Sequence, residues 1–127
     1  MSRAATSIFA YGCYLLVLAL TLFTIPDVVA NLFGLPAHKD VWLYVTAMTV
    51  LSLGGYYIAA SRDEATNFFR FSVIMRCAVP FFFGAFALLG LTKVNILLFT
   101  PPDIVFATWT LLALRARPAT KAIPAQA

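Results

Sequence analysis

The sequence predicts an all-α integral membrane protein. Its expected form is an up-down four-helix bundle with a short interfacial helix after the first span and a kinked fourth span. Three observations lead there. The 127 residues are 62% hydrophobic and only 11% charged, against roughly 45–50% apolar and about 25% charged in a soluble domain. Four stretches approach the ~20 apolar residues that cross a hydrocarbon core: residues 8–25, 41–60, 71–91 and 94–114. The links between them are short, which makes successive helices antiparallel neighbours. The composition excludes a disordered chain, the alternating strands of an outer-membrane barrel are missing, and the length suits one domain, residues 1–127.

Orientation follows from the basic residues. With the N-terminus inside, Arg3, Arg62, Arg70, Arg115, Arg117 and Lys121 face the cytoplasm, the last three in or beside the tail 115–127, and only Lys39 and Lys93 lie outside. This asymmetry obeys the positive-inside rule. The first span also imitates a signal peptide, since Arg3 precedes the apolar run and Val28-Val29-Ala30 ends it. Against cleavage stand an apolar stretch longer than ~7–15 residues and Asp27 close to the cut. An uncleaved span is therefore expected, with both termini cytoplasmic.

Local signals place the helix ends. Ser61-Arg62-Asp63-Glu64 reads as a capping box starting the third helix before it enters lipid near Phe71. Leu22-Phe23-Thr24-Ile25-Pro26-Asp27-Val28-Val29 matches Leu98-Phe99-Thr100-Pro101-Pro102-Asp103-Ile104-Val105 at six positions of eight. Each copy carries Thr-x-Pro-Asp, a helix start with Thr as N-cap, Pro in the first turn and Asp against the dipole. The first copy opens a short helix, 26–33, in the outer interface, which Gly34 and Pro36 end. The second falls inside the fourth span, where Pro101 and Pro102 predict a kink or break that frees carbonyls near Leu97 and Leu98. Irregular backbone at that depth needs cover from protein or a wet cavity, so this side is expected to face the bundle.

Arg76 and Asp103 are the charges furthest inside apolar runs, and intramembrane ionisable residues are candidate functional sites. Arg76 lies roughly 8 Å from the cytoplasmic edge and Asp103 about 18 Å, at ~1.5 Å per residue. Pro80 lacks the N–H that would bond the carbonyl of Arg76. Three readings stay open: Arg76 snorkels to the headgroups and Asp103 is a helix-start acid; the two form an ion pair; or they line a ligand or ion site with Pro80 and Pro102. Asp27 is shallower and reads as interfacial.

Other chemistries fail on inventory. The one histidine, His38, is in the outer loop, so bis-His haem ligation is ruled out, and no His/Cys cluster has metal-site spacing. No metal or other cofactor is expected. Ser52 and Ser72 have no His to activate them, and Gly54-Gly55 is mid-helix rather than in a phosphate loop. Cys13 and Cys77 read as packing residues. The net charge of +4 is dispersed, so no nucleic-acid partner is expected. Gly55-x-x-x-Ala59 offers a small-residue contact surface. At least two rings of Phe81-Phe82-Phe83 and Phe86 must point outward, to lipid, a partner subunit or a second copy.

The order Tyr14-Leu15-Leu16-Val17-Leu18, Leu32-Phe33-Gly34-Leu35-Pro36, Gly54-Gly55-Tyr56-Tyr57, Arg76-x-x-x-Pro80 and Trp109-Thr110-Leu111-Leu112-Ala113-Leu114-Arg115 resembles small four-helix bacterial inner-membrane proteins, broadly the DoxX-like assemblage. The resemblance implies a four-helix bundle in a bacterial inner membrane and supplies no substrate or catalytic residue. The first expectation is a non-catalytic accessory subunit or homo-oligomer of a membrane assembly. The alternative is binding or transport of an apolar or anionic small molecule between the third and fourth spans. An enzyme acting on lipid is the least supported, because no nucleophile with an acid/base pair is visible.

Overall fold

The computed structural model describes residues 1–34 and 41–116. His38, Lys39 and the rest of the outer loop, with Arg117, Lys121 and most of the tail, lie outside the described residues. The described chain is helical: α1 (Arg3–Thr24), α2 (Pro26–Leu32), α3 (Val41–Arg62), α4 (Thr66–Leu88), a 3-10 segment (Val94–Phe99) and α5 (Thr100–Arg115). Four helices, α1, α3, α4 and the continuous Val94–Arg115, are long and apolar enough to span a membrane.

Helix α1 is the centre of the molecule. Its buried positions Ala4, Ala5, Ile8, Tyr11, Gly12, Leu15, Ala19 and Leu22 recur every three or four residues, the spacing of one helical stripe. That stripe packs most extensively on α3 and then on α5, and α4 packs mainly on α5. Helix α3 has α1 as its only extensive neighbour among the described elements. The sequence-based expectation that every successive pair of helices packs together therefore fails at α3 and α4. Only a tight turn joins them, and the helices then diverge.

The close α1–α3 crossing rests on Gly12 and Gly54. A Cβ at Gly12 would meet Ile58 Cγ1 at 2.9 Å and the Gly54 carbonyl at 3.1 Å. Missing side chains let two backbones approach in this way. Gly55, expected to supply the contact, has open space around it and, like Ala59, faces outward.

The turn between α3 and α4 corrects the capping-box reading. Ser61 belongs to the last turn of α3, where its hydroxyl donates to the Ile58 carbonyl. The amide of Ala65 bonds the Ala60 carbonyl and that of Glu64 the Ser61 carbonyl, the pair of bonds that closes a helix in a Schellman motif. Glu64 occupies the left-handed position, φ +50, where glycine is usual. Its carboxylate accepts from the Ser2 amide and the Ser2 hydroxyl, both at 2.6 Å. Ser2 in turn caps α1 by accepting from Ala5 N–H. The glutamate thus completes the capping of α1, not of its own helix. At the far end of α4, Gly90 (φ +73) closes the same motif with its customary residue.

Both Thr-x-Pro-Asp copies start helices with proline and aspartate in the first turn, but neither threonine is an N-cap. Thr24 ends α1 and donates back to Leu20, while Thr100 donates to the Leu97 carbonyl at 2.7 Å. That second bond satisfies one of the carbonyls expected to be freed by the prolines. The interruption itself is a change of helix type: 3-10 through Phe99, then α. Phe99 stacks on Phe33 at 3.5 Å between centroids, tying the end of α2 to the fourth span. Helix α4 runs through Pro80 without a break. Phe81 and Phe82 project outward, as the crowding of rings requires, whereas Phe83 approaches Phe99. Cys77 is exposed rather than packed, and Cys13 is half-buried.

Candidate functional site

Arg76 lies ten residues beyond Thr66 and twelve before Leu88, about 15 and 18 Å along the axis at 1.5 Å per residue. That is near the middle of α4, which starts at Thr66, just after the Ser61-Arg62-Asp63-Glu64 segment expected to open it. Its side chain does not snorkel: Arg76 is only 2% exposed. The Nη2 group donates to Ser72 Oγ at 3.2 Å, one turn earlier on the same helix. The guanidinium carbon stands 4.0 Å from the centroid of the Tyr11 ring and 5.0 Å from that of Tyr57. Nε and Nη1 are buried and have no hydrogen-bond partner among the described residues.

Asp103, in the first turn of α5, is 8% exposed. It accepts a short hydrogen bond from the Tyr11 hydroxyl. Among the described residues it forms no ion pair with Arg76; Tyr11 contacts both, with the guanidinium against its ring and the carboxylate on its hydroxyl. Three helices meet in this chain: α4 through Arg76, α1 through Tyr11 and α5 through Asp103. Edge-on rings at Tyr57 (4.9 Å) and Phe106 (5.4 Å) hold the Tyr11 ring in place. Below it, Ser7 and Thr110 share a fully buried hydrogen bond of 2.8 Å between α1 and α5.

A cavity of about 320 Å³ adjoins the guanidinium. Tyr11, Leu53, Tyr57, Phe71, Ser72 and Met75 are among the residues that line it with Arg76. It lies where α3 and α4 diverge, so it forms a groove on the side of the molecule. Its wall is almost wholly apolar, and Arg76 is the only charged residue of its lining.

The residues singled out from sequence separate in space. Arg76 and Asp103 belong to one cluster. Pro80 lies one turn beyond Arg76 on α4, and Pro102, half-buried, directly precedes Asp103. Asp27 is exposed and borders a separate hollow of about 410 Å³ with Phe23 and Tyr44. Helix α4 packs on α5, the third span on the fourth; the groove described here opens between the second and third spans. Sequence reasoning missed Tyr11, Tyr57 and Ser72. Ser72 was within reach of it, since it stands four residues before Arg76 on one helix face. The tyrosines come from other helices and leave no such signal.

The chain matches no protein-family model, no curated protein and no solved structure.

Proposed function

We propose that this chain is a small-molecule-binding integral membrane protein. Its ligand enters from the lipid phase through the groove between α3 and α4 and sets an acceptor-bearing head on Arg76. The observation that carries this reading is the pair of unpartnered guanidinium nitrogens beside an apolar cavity. The effective penalty for taking an ion out of water is several kcal/mol. Stacking on an aromatic face returns ~0.5–2 kcal/mol, and a single hydrogen bond to a charged group about 1.5–3 kcal/mol. Ser72 and two tyrosine rings therefore leave Arg76 undercompensated. An acceptor in the groove supplies what is missing.

Orientation is part of the same proposal. Arg3, Arg62, Arg70 and Arg115 stand at the ends of spans that meet on one side, and Lys93 precedes the fourth span on the other. The positive-inside rule then sets the N-terminus and the end of α5 in the cytoplasm. A bacterial inner membrane is proposed on the DoxX-like resemblance alone.

Mass spectrometry of the protein purified in mild detergent tests the binding reading. An apolar, acceptor-bearing species should accompany the wild-type chain and be depleted from Arg76→Gln and from Leu53→Trp, which fills the groove. Equal recovery of the same species from all three overturns it.

A second reading keeps the chain as a subunit of a homo-oligomer. Its support is the outward face of α3, where Gly55 and Ala59 leave room for close approach of another helix.

A further inference from the structure

Resting on the binding reading above, we infer that the ligand is a single-chain carboxylic acid, a fatty acid or an acid of similar shape. Its carboxylate would sit on Arg76 and its chain along the groove between α3 and α4.

Four observations narrow the class. First, the lining holds one cation, Arg76, and no second charge. A phosphate monoester bears about −1.5 to −2 charges at pH 7 and would leave excess negative charge in an apolar wall. A carboxylate bears one and is matched.

Second, Arg76 is near the middle of helix α4, ten residues from its start and twelve from its end. A diacyl phospholipid keeps its charged head at the interface, because a charge at the bilayer centre is costly. A carboxylic acid reaches that depth in its neutral form. On ionising there it gives its proton to water in the open groove, and the guanidinium pairs the carboxylate that is left.

Third, the cavity of about 320 Å³ is at the small end of ligand pockets, which run ~300–1,000 Å³. One chain fits such a space; two do not. Its wall of Leu53, Tyr57, Phe68, Phe71, Met75 and Val79 suits methylene groups.

Fourth, the free donors are oriented by their surroundings. Ser72 holds Nη2 while the rings of Tyr11 and Tyr57 lie against the guanidinium. Nε and Nη1 are buried and without a partner among the described residues, and the guanidinium fork pairs bidentately with a carboxylate as it does with a phosphate.

The test uses the full chain in detergent and a polyene fatty acid that fluoresces on binding, displaced by palmitic acid, its methyl ester, hexadecanol or a decyl-substituted benzoquinone. Palmitic acid should displace the probe, while the ester and the alcohol, which cannot ionise, should be roughly ten- to hundredfold weaker, the range for a hydrogen bond to a charged group. Arg76→Gln should lose probe binding by a similar factor and Arg76→Lys by less. Leu53→Trp, which keeps the arginine, should also block the probe. Helical circular dichroism and a single gel-filtration peak establish that each variant is folded.

Competition by the ester or the quinone as strong as by the acid overturns the carboxylate assignment and leaves the groove reading standing, provided Leu53→Trp still blocks. Probe binding unchanged in both Arg76→Gln and Leu53→Trp, or no binding to the folded wild-type chain, overturns both.

Discussion

The hydroxyl of Tyr11 donates to the carboxylate of Asp103 while the face of the same ring receives the guanidinium of Arg76. One aromatic side chain thus contacts two opposite charges whose pairing the sequence left open. The arrangement leaves the arginine uncancelled by direct contact; two of its nitrogens are buried without a hydrogen-bond partner among the described residues, and the residue itself lines the groove. It also joins α1, α4 and α5 at a single point.

The Tyr11–Asp103 bond has a measurable signature. Tyr11→Phe removes the donor and strands a buried carboxylate, which costs about 1–3 kcal/mol or more for a charged group. Asp103→Leu strands the hydroxyl instead. The double variant leaves neither group unsatisfied and should be less destabilised than the sum of the singles, by at least ~1 kcal/mol of coupling. Thermal unfolding in detergent reads all three, and strict additivity would sink the assignment.

The α1–α3 crossing distinguishes two mid-helix glycines, Gly12 on α1 and Gly55 on α3. Gly12→Ala drives a methyl against Ile58 and the Gly54 carbonyl and should cost about 1–3 kcal/mol, the usual range for overpacking. Gly55→Ala meets open space and should be neutral or slightly stabilising, since alanine favours helix over glycine by ~1 kcal/mol. Melting temperatures of the two variants should therefore diverge. A Gly55→Ala variant that melts lower than Gly12→Ala contradicts the packing described.

Glu64 combines an unfavourable backbone with two favourable bonds. Glu64→Ala keeps the left-handed φ without glycine's freedom and loses both bonds to Ser2; a loss of about 1–3 kcal/mol is expected from these terms together. Glu64→Gly loses the bonds but relieves the backbone, so it should fall between wild type and Glu64→Ala. The order of unfolding midpoints checks this. Glycine as the worst of the three is incompatible with it.

Sidedness is read by cysteine labelling in a Cys13→Ala/Cys77→Ala background. On intact cells a membrane-impermeant maleimide should modify Lys93→Cys, whereas Arg62→Cys should react only after permeabilisation. The opposite pattern inverts the proposed orientation.

Much of the architecture is legible along the chain because hydrocarbon imposes a one-dimensional rule. Twenty apolar residues and a turn signal suffice to mark a span, which is why the fourth span starts at Val94, where composition places it. Pro26 and Pro102 mark helix starts because a missing N–H acts on its own helix. Ser61-Arg62-Asp63-Glu64 misled for a related reason. Its residue types suit a cap, but which helix they cap depends on where Ser2 lies. Gly54 and Gly55 are likewise equivalent in sequence. Only the neighbour on one side of the helix decides which of them is a contact.

The sequence by itself determined the helical class, the four long apolar helices, the interruption at Pro101-Pro102 and the two suspect charges, Arg76 and Asp103. Each of these follows from hydropathy or from bonds between residues a few positions apart. The tertiary structure alone decided that α3 leaves α4, that Tyr11 contacts both charges and that Arg76 lines an apolar groove. Those outcomes depend on side chains from α1, α3, α4 and α5 meeting in space, and separations of tens of residues leave no periodic trace in a chain.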